Sequence, residues 1–321
     1  MKRIVTIAAA AMVLAGAAQA QGAYPTKQIR ILVGFPAGGS TDVLARAAAH
    51  EARSILGQEL IIINKPGATS TIAMGEVASS APDGYTIGIA PSGVMTLTPL
   101  VQTVPADLLD RTEALIVAGA QRTGIATEAN APYKTINDLF AAMKANPGKI
   151  SIGTPGAGTT GHIILRAIML DQKLEGNLVP FQGDAPVVQA LLGGHVNAGF
   201  MSAAGFSEMI RAKRMRLLAS MEDERLDVAP EVPTLIEQGF NYTSGTLQYF
   251  MAPKGLPPEI RKRLIAALTE ATSRPAYVEL AKKNSLYGPS KMTGAELDAY
   301  FIKVREASKQ LVTRLGIGRK K

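Results

Sequence analysis

The 321-residue sequence contains no cysteine, which removes a disulfide framework, a lipid-modified cysteine, a thiolate metal site and a cysteine nucleophile. No G-x-S-x-G elbow occurs, so the sharp strand-to-helix turn that presents a hydrolase serine has no candidate. His50, His162 and His195 lie far apart, and although Glu51 follows His50, position 54 is Ser54, so the zinc-helix H-E-x-x-H pattern fails. His50 reads as a surface helix residue and His195, after "LLGG", as a turn residue. No paired carboxylates stand out for acid-base work, and Asp83 in "APDG" reads as a turn former. We expect no catalytic residue, no metal and no cofactor, and the chain shows neither an internal repeat nor a low-complexity block.

Basic residues are in modest excess, with a formal charge of +8 that falls to +6 without Lys2 and Arg3. Only "RAKRMR" (Arg211 to Arg216) and the terminal "GRKK" are dense. The first reads as a helix end, where cations favour the negative dipole terminus, and the second as a solvated tail. A nucleic-acid partner needs basic residues gathered on one face, and we expect none.

The chain opens on "MKRIVTIAAAAMVLAGAAQA": two cations, a short apolar run, then Ala18-Gln19-Ala20 in the arrangement a signal peptidase accepts. This is a secretory signal peptide, expected to be cleaved after Ala20. Its apolar run of about fifteen residues is short of the roughly 20 that span a bilayer, and no later uninterrupted apolar run reaches that length. The mature chain is therefore expected in the periplasm. Its remaining length and 47% apolar content suit two lobes of about 100 to 200 residues each.

"IRILVGF" (Ile29 to Phe35) is a mostly apolar run closed by Pro36, Gly38 and Gly39, the pattern of a buried parallel strand. Ser40, Thr41 or Asp42 can cap the helix that follows, and Gly57 stops it. "ELIIIN" and "YTIGIA" read as further strands, with "PSG" as a tight loop. From about Thr123 a second series begins: "TINDLFAAMKANPGK" as a capped helix, "ISIGT" as strand, a glycine-rich turn, "NLVPF" as strand, "APVVQALLG" as helix and "VNAGFM" as strand. "LQYFMAP" is a later strand, and "PPEIRKRLIAALTEATS" and "GAELDAYFIKVREASKQLV" are terminal helices. Strands alternating with helices predict two α/β lobes.

Gly156, Gly158 and Gly161 stand in the order G-x-G-x-x-G between a strand and a helix, the dinucleotide fingerprint, and Asp184 is even a candidate ribose partner. A secreted NAD-type oxidoreductase is therefore one reading. Yet the glycine turn occurs twice, as "GFPAGGSTD" and "GTPGAGTTGH". Both turns place small residues before a helix start whose free N–H groups and positive dipole end attract an anion. Carboxylate satisfies that chemistry as well as pyrophosphate, and two tight turns without a ligand would also show it. An exported compartment poor in nicotinamide nucleotides, and a glycine-rich turn that recurs in both lobes where a dinucleotide loop would be expected in one, favour the carboxylate.

The mature chain as a whole resembles the Bug-type periplasmic solute receptors of tripartite tricarboxylate transporters. The markers are "YPTKQIRILVGFPAGGSTDVLAR", "NKPGATSTIAMGEVASSAPDGYTIGIAPSG", "NPGKISIGTPGAGTTGHI", "VPFQGDAPVVQALLGGHV", "VPTLIEQGF" and "MAPKGLPPEIRKRL". The resemblance implies an α/β, two-lobe periplasmic-binding-protein clamshell, type II-like, with two crossing strands as hinge. It implies lobe 1 from residues 24–124 and 248–321 and lobe 2 from 125–247, a monomeric receptor closing on a small carboxylate, and delivery to integral-membrane transporter subunits. Carried over, the first-lobe ligand loop is Ala37, Gly38, Gly39, Ser40 and Thr41, joined by Ser92 and Gly93. The second-lobe cradle is Thr154, Ala157, Gly158, Thr159 and Thr160, with Gly183, Asp184, Ala185 and Ser202. His162 follows the cradle and reads as a core histidine, with ligand contact as the alternative. The chain departs from the family pattern at Ala37 for proline, at Phe181-Gln182-Gly183 for tyrosine-lysine-glycine, at Asp184 for a small or hydroxyl residue and at Ser202 for an acid. Asp184 before Ala-Pro is a good helix cap; alternatively, its carboxylate reads a hydrogen-bond donor on the ligand.

Overall fold

The structure is a computed structural model that describes residues 24–104, 108–283, 286–287 and 292–319; the expected signal peptide and its cleavage point lie outside the described residues. The chain begins with β1 (Ile29–Val33), α1 (Ser40–Leu56), β2 (Leu60–Asn64), α2 (Thr71–Ser79) and β3 (Thr86–Pro91). Three short helices, α3 (Ser92–Thr96), α4 (Thr98–Val101) and α5 (Leu108–Arg111), lead to the long strand β4 (Thr112–Gln121). Beyond Arg122 come β5 (Thr123–Glu128), α6 (Ile136–Ala145), β6 (Ser151–Thr154), α7 (Thr160–Asp171), β7 (Asn177–Pro180), α8 (Asp184–Leu192), β8 (Ala198–Ser202), α9 (Ala203–Arg211) and β9 (Met215–Ser220). The chain returns through β10 (Thr246–Pro253) to α10 (Pro258–Ser273), α11 (Pro275–Lys283), β11 (Leu286–Tyr287) and α12 (Gly294–Arg314).

Two sheets result. The six-stranded sheet runs β11-β4-β10-β3-β1-β2 and the five-stranded sheet β7-β6-β8-β5-β9. In the first, β2, β1 and β3 are parallel and β10 joins antiparallel. In the second, β7, β6 and β8 are parallel and β5 joins antiparallel. Each sheet thus has a parallel trio beside an antiparallel strand, and that strand arrives directly from the other half of the chain. The chain passes between the sheets at Arg122, and again just before Thr246. This is the two-lobe clamshell.

Period-two burial explains the layering. Ile29, Ile31 and Val33 of β1, with Phe250 of β10, pack under α1, α10 and α11, while Leu32, Tyr249 and Met251 face α2 and α12 on the opposite side. In the second sheet Ile152, Phe200 and Ile125 face α6 and α7, whereas Met201 and Ala126 face α8 and α9. Both faces of both sheets are buried, so the parallel strands read as nearly continuous apolar runs. The capped start of α6 is realised: Thr135 and Asp138 form a reciprocal capping box. Among the described residues, no helix is long and apolar enough to cross a membrane.

Candidate functional site

In open α/β sheets, ligands bind outside the carboxyl ends of the strands, where the connections diverge to opposite sides. Both sheets have such a point, between β1 and β3 and between β6 and β8, and the two points face each other. Loops after β1, β3, β6, β7 and β8 enclose a cavity of about 60 Å³. Since one water needs about 10–15 Å³, the space suits a small molecule.

The first loop is held from behind. Asp42, buried in the first turn of α1, accepts the Gly38 amide at 2.9 Å and Asn64 Nδ2 at 2.8 Å, and the same Asn64 nitrogen donates to the Phe35 carbonyl. Burial would raise the Asp42 carboxyl, but the hydrogen bonds from Arg46, Gly38 and Asn64 outweigh it and hold it below the usual range. Asp42 therefore orders the loop and does not cap α1, whose cap position is Gly39. Ser40 and Thr41 are tied to the crossing strands: Gln121 Nε2 donates to Ser40 Oγ at 3.0 Å, and Thr41 Oγ1 donates to Gln248 Oε1 at 3.2 Å. Gln248 in turn donates to Gln121 at 3.0 Å. The loop and both crossings are one polar chain.

Of the residues expected at the site, Gly39, Ser40, Thr41, Gly93, Thr159, Thr160, Gly183, Asp184, Ala185 and Ser202 line this cavity. The remainder are placed elsewhere. Ala37 and Gly38 are exposed at the loop tip. Ser92 is buried and accepts the Leu247 amide at 3.3 Å. Thr154 is fully buried at the end of β6, where Oγ1 pairs with His162 Nδ1 at 2.9 Å. Ala157 lines a neighbouring recess with Phe35, Thr69 and Gln182. Gly158 lies against α4, and its carbonyl accepts Thr98 Oγ1 at 2.9 Å. His162 is a core histidine; burial first, and the charge of Arg166 second, hold its imidazole down to about 4, so the ring is neutral. His50 and His195 are exposed, as their local sequence predicts.

Residue-level reading missed the floor and walls. Gln121, Thr123 and Thr246 line the cavity from the crossings, and Phe35, Pro36, Pro91, Pro155 and Phe200 supply apolar surface. The proline and phenylalanine positions flank the glycine turns, so their adjacency was a usable signal; the crossing residues carried none without the sheet topology.

The cavity has an unusual charge pattern. Among the described residues its lining contains no Lys, Arg or His, and its one ionisable side chain is Asp184. Asp184 does not cap α8: Gly183 holds the cap position and no side-chain capping bond forms. Instead the Asp184 carboxyl accepts the Ser202 amide at 3.2 Å and the Ser202 hydroxyl at short range. Burial pushes the Asp184 carboxyl up, against the lowering effect of Ser202. Positive potential comes from backbone: the amino ends of α1, α7, α8 and α9 all border the cavity. Among the described residues, no group of three or more His, Asp or Glu gathers as metal ligands.

The model of the "Tripartite tricarboxylate transporter family receptor" matches residues 44–317. The chain belongs to that receptor family. A Cupriavidus necator relative, "UPF0065 protein in gbd 5'region", is 33% identical over 306 residues, 94% of this chain and 92% of that protein. "Protein BugT" of Bordetella pertussis is 31% identical over 259 residues, 80% of this chain and 79% of that protein. Among solved structures, one described as "Structure of a periplasmic transporter" superposes with a TM-score of 0.86 at 28% identity, over 92% of this chain and 99% of its own.

The receptor fold also answers the glycine fingerprint. A Cβ on Gly161 would lie 2.0 Å from the Phe200 ring, and one on Gly93 would lie 2.2 Å from Thr160 Oγ1. Gly161 lets α7 pack on β8, and Gly93 lets the lobes meet. The dinucleotide reading finds no support in this geometry.

Proposed function

We propose that the protein is a periplasmic receptor that captures a small organic carboxylate between its lobes and presents it to integral-membrane subunits of a tripartite tricarboxylate-type transporter. The observation that carries this reading is a cavity between the lobes bordered by helix amino ends from both sheets, with no cationic side chain among the described residues of its lining. Helix amino ends bind carboxylates through free N–H groups and dipole, and opposed donors reward closure. The lobe boundaries fall at the crossings, Arg122 and just before Thr246, which form the hinge: Thr123 already pairs in the second sheet and Thr246 in the first, two residues ahead of the bounds 124/125 and 247/248 that the resemblance implies. The ligand set combines the cavity-lining backbone and hydroxyl groups of Gly39 to Thr41, Gly93, Thr159, Thr160 and Gly183 to Ala185. The mature monomer starts at Gln21 after signal cleavage and has no turnover, as befits a receptor family.

The test is a thermal-shift screen on protein purified from periplasm, whose intact mass reports the cleavage point. Mono-, di- and tricarboxylates are compared with nicotinamide nucleotides. A cognate acid at 100-fold over its dissociation constant should add about 2.7 kcal/mol of stability, and scattering should show compaction. Stabilisation by a nicotinamide nucleotide and by no carboxylate would replace this reading with the oxidoreductase.

A further inference from the structure

Asp184 poses an electrostatic problem for a carboxylate receptor. Among the described residues it is the one ionisable group lining the cavity, it is buried to 8% exposure, and its hydrogen bonds come from Ser202. A carboxylate has about four lone-pair positions, so two bonds leave capacity unused. Keeping such a carboxylate ionised while buried costs free energy, which is why burial pushes this group up, unless a donor completes its shell. The site is nevertheless built to hold this group: Ser202 fixes it with both amide and hydroxyl, and Gly205 of α9 leaves it room, since a Cβ there would lie 3.1 Å from Asp184 Cβ.

The cavity lining therefore asks for two chemistries. The amino ends of α1, α7, α8 and α9 offer N–H donors, which suit a carboxylate. Asp184 offers acceptors, which suit a donor and repel a second carboxylate, more strongly in an enclosed space than in water. We infer that Asp184, oriented by Ser202, is a specificity-determining residue that selects small carboxylates bearing a hydroxyl or ammonium group over plain carboxylates of the same skeleton. The inference rests on the carboxylate-receptor reading above and names its substrate class. Ser202 is the positioning partner: it does not read the ligand donor itself but keeps the Asp184 oxygens turned to a fixed direction.

Titration calorimetry on the mature chain decides it, with matched probes: succinate, malate and aspartate, and propionate, lactate and alanine. Wild type should bind the hydroxy or amino member of a set at least tenfold more tightly than the plain acid, the scale of a hydrogen bond to a charged group. Asp184→Asn and Asp184→Ser should bring the members within threefold, chiefly by weakening the donor-bearing acid. Ser202→Ala should give an intermediate ratio. Melting curves check that each variant folds, and the serine variant, whose small hydroxyl side chain removes the charge and fits the same space, decides if the asparagine variant does not. Equal affinity of wild type for plain and donor-bearing acids, or a ratio unchanged in a folded Asp184 variant, overturns the inference and leaves the receptor reading standing. Absence of any carboxylate binding by wild type across these sets and the wider screen overturns both.

Discussion

Glu222 sits beside the first crossing, where its carboxylate accepts the Thr123 amide at 2.9 Å and the Thr123 hydroxyl at 2.6 Å. Burial pushes its carboxyl from 4.5 up to about 7, although the Thr123 bonds pull the other way. Between these values the native state holds a proton that the unfolded chain has released, so this group makes stability fall as pH rises. His162 acts with the opposite sign. Its imidazole is held at about 4 against a usual 6.5, so across that range the unfolded chain binds the proton and stability rises with pH. Each effect integrates to about 3 kcal/mol at 1.36 kcal/mol per unit, and they largely cancel in the wild type. Glu222→Gln, relative to wild type, should be neutral near pH 4.5 and increasingly stabilising up to pH 8, by at most about 3 kcal/mol. For His162→Asn the difference should run the other way: largest relief near pH 4, none above pH 7. Urea titrations across pH 4 to 8 give both difference curves, and parallel curves for variant and wild type would remove the assignment.

At the scale of elements, the parallel trios were legible because a strand buried on both faces is an apolar run closed by a glycine turn. "IRILVGF", "YTIGIA" and "ISIGT" became β1, β3 and β6. The crossings were not legible from the residues alone. β4 is "TEALIVAGAQ", whose small residues give no clear period, and its partner β10 lies more than a hundred residues later. The glycine turns were located correctly, but which glycine meets ligand and which meets the other lobe depends on how the lobes sit. Gly158 shows the difference. A Cβ there would lie 2.9 Å from Thr98 Cγ2 and 3.0 Å from Gln102 Nε2, both on the opposing lobe, and it does not line the cavity. Gly158→Val should therefore leave each lobe folded and obstruct closure, weakening a carboxylate found in the screen by at least about tenfold, or 1.4 kcal/mol. Scattering should stay at the ligand-free radius when ligand is added. Normal compaction with normal affinity would show that the loop yields to the added side chain.

For the molecule as a whole, closure is fastened at a second place, far along α7 from the cavity. α12 packs on the first lobe, yet Leu311, Val312, Leu315 and Ile317 at its end join Leu97 and Ile163 in one cluster, and Ile163 belongs to the second lobe. Arg314 extends the contact: its guanidinium donates to Asp171 at 3.1 Å and to the Tyr242 hydroxyl at 3.0 Å, and Tyr242 donates to the same aspartate. The Asp171 carboxyl is held below its usual range, first by the Tyr242 hydrogen bond and then by Arg314. All three groups are substantially solvated, so the latch is weak and salt-sensitive. Its consequence is a population shift: a contact present only when the lobes meet raises the fraction of closed receptor, and apparent affinity follows that fraction. Arg314→Ala should thus weaken a bound carboxylate by about two- to fivefold, as expected for a partly exposed ion pair, without changing which acid is preferred. Tyr242→Phe should do less, because Arg314 still reaches Asp171. The ligand-free radius from scattering should increase in the same order, and the wild-type advantage should shrink at high salt. If Arg314→Ala keeps wild-type affinity and radius at low salt, the apolar cluster alone holds α12 across the lobes and the polar latch contributes nothing to closure.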